Sequence, residues 1–288
     1  MEMTGVWAPV LTPYGADLTP DPVRLTALCR RLAGLGLGLA PFGTTGEGHS
    51  LTVDERIALL DALAASGLDL SRVMPGTGCC AFPDTARLSA HAVRLGCGAV
   101  LTLPPFYDKD ASEDGLFRAY AEVIERVGDS RLRLVLYHFP RQSGIAITEG
   151  LIARLLARYP GIVAGIKDSS GDFDHAVGLT RAFPGFPVLA GTASRLAEFQ
   201  AAGGAGCVSG HANLVGASIL EVWRGGPDDG RQAALRAALA GLPLVPALKA
   251  LLARAEGDPG WNPVRPPLVE LSPDQEFQLF RRAGPGFP

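Results

Sequence analysis

Residues 132–167 contain the clearest indication of the fold, and they read LRLVLYHFPRQSGIAITEGLIARLLARYPGIVAGIK. Two mostly apolar runs, Leu132–Tyr137 and Ile162–Lys167, open and close this stretch. Such runs, apolar rather than regularly alternating, are typical of parallel strands that are buried on both faces. Between them, Thr148–Arg158 has the apolar spacing of an amphipathic helix. The stretch therefore predicts a strand–helix–strand unit with parallel strands.

The same unit recurs along the chain. Six further apolar runs lie at Val6–Thr12, Leu37–Gly43, Arg72–Thr77, Gly98–Leu103, Pro187–Gly191 and Ala205–Ser209. Further helical patterns lie at Thr52–Ser66, Asp84–Leu95, Ser112–Val127 and Ser194–Ala202. Eight such units in 288 residues predict an α/β fold, a single (β/α)8 TIM barrel. An open doubly wound sheet would be favoured by a G-x-G-x-x-G motif after the first strand, which residues 10–16 lack.

The chain continues well beyond the last predicted strand. Helices are predicted at Leu214–Arg224, Gly230–Leu242, Val245–Ala255 and Ser272–Arg282, with a glycine- and proline-rich loop at Gly257–Pro267. We therefore expect the barrel strands and most helices in residues 1–210. Residues 211–288 would form the last barrel helix and a C-terminal helical extension of the same structural unit.

Composition excludes several classes of protein. With 47% hydrophobic residues the chain can bury a large core, so it is not disordered. The 36 glycines and 23 prolines predict many turns. A net charge of −3 without a basic run argues against nucleic acid as a partner. No leader pattern and no long apolar run point to a membrane, and five unpatterned cysteines suit a cytoplasmic protein.

Lysine usage singles out one candidate nucleophile. The chain has only three lysines, Lys109, Lys167 and Lys249, although lysine and arginine together number 26. Lys167 ends a wholly apolar run, whereas Lys109 lies in a polar loop and Lys249 in a helix of the extension. A desolvated lysine can attack a carbonyl to form a Schiff base. The alternative is a salt-bridged or snorkelling lysine at a strand end.

Other candidates follow predicted strands, where the active sites of barrels lie. The turn Gly43–Gly48 surrounds Thr44 and Thr45 with glycines, so main-chain N–H groups can bind an anion. Tyr137 could transfer protons, although a buried core tyrosine is an equally good interpretation. Tyr107 follows another predicted strand and could equally be a loop-packing residue.

Metal and cofactor chemistry are not expected. The five histidines show no H-x-H or H-x-x-x-H pattern, so we predict no metal site and no cofactor. His138 and His211 lie near strand ends without a paired carboxylate in sequence. A serine hydrolase is disfavoured because no G-x-S-x-G motif occurs.

Three ordered motifs carry a family resemblance: Gly43-Thr44-Thr45-Gly46-Glu47, Tyr137-x-x-Pro140 and Gly165-Ile166-Lys167-Asp168. Together they resemble the dihydrodipicolinate synthase / N-acetylneuraminate lyase family, which are class I, pyruvate-dependent aldolases. The resemblance implies that Lys167 forms a Schiff base with pyruvate or a 2-keto acid, and that Tyr137 transfers protons beside it. It also implies that Thr44 and Thr45 hold the pyruvate carboxylate.

The resemblance implies further roles and an assembly. Tyr107 would be supplied across a dimer interface and join Thr45 and Tyr137 in a proton relay, while Gly191 and Val208 would line the pyruvate pocket. The protein would then be a homo-oligomer, a dimer or a dimer of dimers, whose partners are a keto acid and a small aldehyde.

The chain departs from both namesake activities where the second substrate would bind. Gln142 stands where the synthases carry a carboxylate-binding arginine, with Arg141 one residue away. Thr192-Ala193-Ser194 follows Gly191, where sialic acid lyases have an acidic pair. The resulting hypothesis is a Schiff-base-forming lyase or aldolase that condenses or releases pyruvate with an aldehyde or 2-keto-3-deoxy acid partner. The alternatives are 4-hydroxy-tetrahydrodipicolinate synthase and, from another class, a non-catalytic barrel that binds keto acids.

Overall fold

Within residues 3–284, seven parallel strands form one sheet in the order β2-β1-β7-β6-β5-β4-β3. The computed structural model describes residues 3–284, so the expected domain limits at residues 1 and 288 lie outside the described residues. The strands are β1 (Gly5–Ala8), β2 (Gly38–Leu39), β3 (Val100–Thr102), β4 (Leu134–His138), β5 (Val163–Asp168), β6 (Val188–Ala190) and β7 (Gly206–Val208). The α/β class and the parallel strands agree with the sequence-based prediction.

Helices alternate with these strands. They are α1 (Pro22–Gly34), α2 (Val53–Ala65), α3 (Phe82–Arg94), α4 (Glu113–Val127), α5 (Pro140–Ser143), α6 (Glu149–Arg158), α7 (Phe173–Ala182), α8 (Leu196–Ala201), α9 (Ala212–Trp223), α10 (Arg231–Leu239), α11 (Leu244–Glu256) and α12 (Pro273–Ala283). Local signals set several boundaries. Thr52 caps α2 in a capping box with Glu55, and Ser272 caps α12 in the same way.

The prediction of a regular strand at Arg72–Thr77 is wrong. The segment makes two isolated parallel bridges, Leu39↔Val73 to β2 and Gly76↔Leu101 to β3. Proline at position 75 has no amide hydrogen, so it can only accept a bond, from the Leu101 N–H at 2.9 Å. The segment nevertheless lies between the two edge strands of the sheet and hydrogen-bonds to both.

The C-terminal helices pack on one another, and the first of them also packs on the sheet. Helix α9 packs on β1, while α10 and α11 contact α12. No single helix within residues 3–284 is long and apolar enough to span a membrane. Helices α10 and α11 together meet the length and composition criteria but are bent by 120° at the break between them.

Candidate active site

Neighbouring strands place Lys167 and Tyr137 side by side. In the β4–β5 register Tyr137 pairs with Lys167 and His138 with Asp168. Because side chains alternate along a strand, the two pairs point to opposite faces of the sheet. The Lys167 Nζ lies 4.0 Å from the centre of the Tyr137 ring, and both side chains are buried. Within residues 3–284 no carboxylate and no hydrogen-bond acceptor pairs with the Lys167 Nζ.

The turn after β2 holds the two threonines beside this pair. Thr44 Oγ1 lies 3.2 Å from the Tyr137 hydroxyl. The turn is folded back on itself, since the Gly48 N–H donates to the Gly43 carbonyl at 3.0 Å. A Cβ at Gly46 would lie 2.6 Å from the Val10 carbonyl oxygen, so only glycine fits there. The glycines predicted to let backbone approach a ligand therefore also allow the turn to pack against the backbone that follows β1.

One cavity of about 530 Å³ collects most of the predicted site residues. Its lining includes Thr44, Thr45, Tyr137, Lys167, Gly191 and Val208. Gly191 is tied to the strand that carries the lysine, because its N–H donates to the Asp168 carbonyl at 2.6 Å. A Cβ at this position would lie 2.9 Å from the same carbonyl oxygen, so a side chain is excluded here.

Three predicted residues lie outside this cavity. Gln142 lines an adjoining cavity of about 170 Å³, which shares Thr44 and Tyr137 with the first. Arg141 is exposed and lines neither cavity. Tyr107 also lines neither and is 81% exposed.

Lys109 links the loop that carries Tyr107 to the end of α5. Its Nζ donates to the Ser143 carbonyl at 2.8 Å and also to the Phe106 carbonyl. The loop after β3 is therefore held against the end of α5. Lys109 therefore positions this loop and does not line the cavity.

A polar cluster, His138, Asp168 and His175, lies behind the Lys167–Tyr137 pair. His175 Nδ1 lies 2.7 Å from Asp168 Oδ2, and the two histidine rings stack with centres 4.9 Å apart. The ligand atoms lie within 4.8 Å of one another, so the fold gives His138 a carboxylate neighbour that its sequence surroundings did not indicate. The sequence analysis missed Asp168 and His175 because only the fold brings them to His138. The β4–β5 register places Asp168 there, and α7 carries His175.

Hydrogen bonding in this cluster opposes metal binding. The Ile147 N–H donates to His138 Nδ1 at 3.0 Å, which leaves the proton of a neutral ring on Nε2. A metal at Nε2 would have to displace that proton while Nδ1 still accepts a bond. Burial, the largest cause, lowers the pKa of His138 and so favours this neutral form.

Lys249, the third lysine, makes a contact that the sequence did not reveal. Its Nζ lies 2.5 Å from Glu47 Oε1, and both side chains are fully buried. The same Nζ donates to the Pro263 carbonyl at 2.7 Å, and the Arg265 N–H donates to Glu47 Oε2 at 3.0 Å. The loop Gly257–Pro267 thus holds the carboxylate that ends the Gly43–Glu47 motif. The sequence signal for this contact was the position of Lys249 among the apolar residues of α11, where a buried charge needs a partner.

Comparison with known proteins identifies the family. The model of the dihydrodipicolinate synthetase family matches residues 2–280. The chain belongs to the dihydrodipicolinate synthetase family. This membership confirms the family predicted from the ordered motifs and, with it, the predicted class of Schiff-base lyases and aldolases.

Individual members of the family cover nearly the whole chain. An uncharacterised DapA-like lyase from Chloroflexus aurantiacus is 35% identical over 98% of this chain and 96% of its own length. The structure of dihydrodipicolinate synthase from Agrobacterium tumefaciens superposes with a TM-score of 0.91 at 34% identity, covering 97% of this chain and 98% of that one. Escherichia coli YagE, a prophage protein of the family solved with pyruvate, gives a TM-score of 0.83 at 27% identity, covering 96% of each chain.

Proposed function

We propose that this protein is a class I aldolase or lyase that condenses pyruvate with an aldehyde or releases it from a 2-keto-3-deoxy acid. The observation that carries the proposal is the Lys167 amine, which is buried, has no acidic partner within residues 3–284 and lines the same cavity as Thr44, Thr45 and Tyr137. An unpaired buried amine is a poor structural element but a suitable nucleophile.

The surrounding groups suit each step of Schiff-base formation. The Thr44 and Thr45 N–H and hydroxyl groups would hold the pyruvate carboxylate. The Lys167 amine then adds to the keto carbon, and water leaves as the imine forms. Tyr137 would move the protons that this exchange requires, and the 3.2 Å between its hydroxyl and Thr44 Oγ1 supports this role. Gly191 leaves room for the keto acid against β6, and Val208 provides an apolar wall.

We further propose that the fold is a closed eight-stranded barrel in which Arg72–Thr77 stands in the place of the eighth strand. The two bridges that this segment makes to β2 and β3 support the closure. Residues 1–210 and 211–288 would act as one unit, because the Lys249–Glu47 ion pair joins the extension to the threonine turn.

We propose that Tyr107 reaches the active site of a second subunit in a homo-oligomer. Its exposure on a loop that Lys109 fastens to α5 supports this role. Co-expression of Lys167→Met and Tyr107→Phe subunits tests it. A mixed dimer would contain one site with both native residues, so activity above that of either variant alone is expected. Activity no higher than the sum of the two variants would contradict the exchange.

Borohydride trapping tests the central proposal. Reduction in the presence of pyruvate should attach the keto acid covalently to Lys167, as located by peptide mass mapping. Lys109→Arg provides a matched control, since it removes another lysine outside the cavity and should leave the adduct intact. An unmodified Lys167 after reduction with excess pyruvate would refute a Schiff-base enzyme. Adduct formation without turnover of any aldehyde or keto-deoxy acid would instead favour a keto-acid-binding barrel.

A second candidate is 4-hydroxy-tetrahydrodipicolinate synthase, which condenses pyruvate with aspartate semialdehyde. The 34% identity to the A. tumefaciens synthase favours it. The position of Arg141, exposed and outside both cavities, weighs against it, because this arginine then does not reach the carboxylate of the aldehyde. Pyruvate consumption with aspartate semialdehyde at a rate well above that with other aldehydes would establish this activity.

A further inference from the structure

The part of the cavity beyond Lys167 has a distinct composition, and the inference drawn from it rests on the proposed function. Its walls include Phe139, Phe173, Ala176, Phe199 and Leu244. These residues come from the position directly after β4 and from α7, α8 and α11, so four separate parts of the chain contribute apolar surface. The cavity volume of about 530 Å³ leaves room for a partner molecule beside a three-carbon keto acid.

The aromatic rings in this region have defined relative orientations. Phe173 and Phe199 meet edge to face, with ring centres 6.2 Å apart. Phe139 stacks on Tyr137 at 5.7 Å, so the aromatic wall reaches the proposed proton donor. Offset stacked and edge-to-face contacts are the arrangements that a further planar ring would also adopt. The walls therefore suit a flat, apolar substituent.

Charged groups in this region are already engaged. Among the cavity-lining residues that the structure describes, the basic side chains are Arg195 and Lys167. The Arg195 guanidinium donates to Glu198 Oε2 at 3.0 and 2.7 Å and stacks over the Phe173 ring at 3.6 Å. The Asp172 carboxylate accepts the N–H groups of Asp174 and His175 at the start of α7. A carboxylate on the second substrate would therefore be repelled by Asp172, and Arg195 is already paired with Glu198.

The hydroxyl groups of the loop after β6 are likewise paired with each other. Thr192 Oγ1 lies 3.0 Å from Ser194 Oγ and also accepts the Ser194 N–H at 3.1 Å. A polyhydroxylated chain would have to break this local turn to gain hydrogen bonds, and each exchange yields little net free energy. The region thus favours an uncharged, apolar partner over both a carboxylated and a polyhydroxylated one.

We propose that the carbonyl partner is an uncharged aldehyde with a flat apolar substituent, of about the size of benzaldehyde. In the synthetic direction, loss of a proton from C3 of the Lys167–pyruvate imine gives an enamine. Its C3 bonds to the aldehyde carbon, and the aldehyde oxygen takes up a proton to become a hydroxyl. Water then hydrolyses the imine, which releases a 4-hydroxy-2-keto acid and restores the amine.

A panel of aldehydes tests this substrate class. Pyruvate consumption is measured with benzaldehyde, succinic semialdehyde and glyceraldehyde, which represent an apolar, a carboxylated and a hydroxylated partner. We expect kcat/KM for benzaldehyde to exceed the other two by about tenfold or more, the discrimination that an apolar pocket achieves. A higher kcat/KM for succinic semialdehyde or glyceraldehyde would overturn the inference. Borohydride trapping with pyruvate alone separates this result from a failure of the proposed function, since it involves no aldehyde.

A charge introduced at the cavity edge provides the second arm. Leu244 lines the cavity and is 45% exposed, so Leu244→Arg should leave the fold intact. We expect this variant to lower kcat/KM for benzaldehyde and raise it for succinic semialdehyde. Val269→Arg is the matched control: it adds the same charge at an apolar residue that is 73% exposed and lines neither cavity. Equal effects of the two variants on the ratio of kcat/KM values would overturn the assignment of this region to the partner.

Discussion

Two lysines of this chain share a burial environment but differ in their partners. Lys167 and Lys249 are 4% and 0% exposed, and each Nζ lies over a tyrosine ring, at 4.0 Å from Tyr137 and 4.5 Å from Tyr14. Lys249 is paired with Glu47 at 2.5 Å and donates to a carbonyl. Lys167 has neither contact within residues 3–284 and faces a cavity instead.

Burial alone therefore does not identify a nucleophile among these lysines. Burial lowers the pKa of Lys249, while Glu47 opposes that shift and favours the charged form. An ammonium held in an ion pair has no free electron pair with which to attack a carbonyl. The absence of an acidic partner and the presence of a cavity, taken together, separate the proposed nucleophile from the structural lysine.

The two regions are also connected. Glu47 ends the motif that contains Thr44 and Thr45, and it adopts a left-handed conformation with φ of 53°. Lys249 and Arg265, both from the C-terminal part of the chain, hold its carboxylate from the other side. The structural lysine therefore supports the turn that would bind pyruvate, which gives the extension a part in shaping the site.

The largest expected effect is that of removing the proposed nucleophile. Lys167→Met should lower kcat by about 10⁴-fold or more, as expected for loss of a covalent catalyst, and abolish adduct formation. Urea unfolding should show little loss of stability, because Lys167 forms no ion pair with any residue from 3 to 284. A large drop in the free energy of unfolding with activity retained would make Lys167 the structural lysine and contradict the assignment.

Removing the other lysine should give the opposite result. Lys249→Met leaves the Glu47 carboxylate buried without its partner, which should lower the free energy of unfolding by about 3–5 kcal/mol. Protein that remains folded should still form the pyruvate adduct on Lys167. The double variant Lys249→Met/Glu47→Gln should be more stable than the single one, since the uncompensated charge is gone. If the double variant loses as much as the two single variants combined, the pair is not coupled.

The tyrosines beneath the two lysines extend the comparison. Tyr137→Phe keeps the ring under Lys167 but removes the hydroxyl, so kcat should fall by about 10²–10³-fold. Tyr14→Phe is the matched control, because the Tyr14 hydroxyl is buried without a hydrogen-bond partner among the described residues. Its loss should leave activity unchanged and stability equal or higher. Equal kinetic effects of the two substitutions would indicate that Tyr137 acts only by packing.

The contrast between these regions also shows what sequence reasoning can reach. Continuous apolar runs predicted seven of the parallel strands, because buried strands must be apolar on both faces. The run Arg72–Thr77 looked equally apolar, but Pro75 prevents a continuous ladder there. Lys167 was recognisable because it ends such a run. The partner of Lys249 was not recognisable from the sequence, because Glu47 lies on a distant turn and only the packing of the C-terminal helices brings the two together.

The smallest expected effect concerns the ion pair that anchors Arg265 beside this network. Its guanidinium donates to both carboxylate oxygens of Glu55, and these bonds lower the Glu55 pKa to about 2. A carboxyl whose pKa is lower in the folded than in the unfolded chain stabilises the fold at pH values above its unfolded pKa. That contribution is lost as the pH falls from about 4.5 towards 2.

Glu55→Gln should therefore reduce stability at pH 6 by about 1–2 kcal/mol, a value discounted for the partial exposure of the pair, and by much less near pH 2.5. Urea unfolding of wild type and variant across this range measures the difference, to which other titrating carboxylates contribute equally in both proteins. Glu113→Gln, which breaks the more exposed pair with Arg154, should show a weaker dependence. A difference that stays constant from pH 6 to pH 2.5 would mean that the Glu55 charge does not hold Arg265 in place.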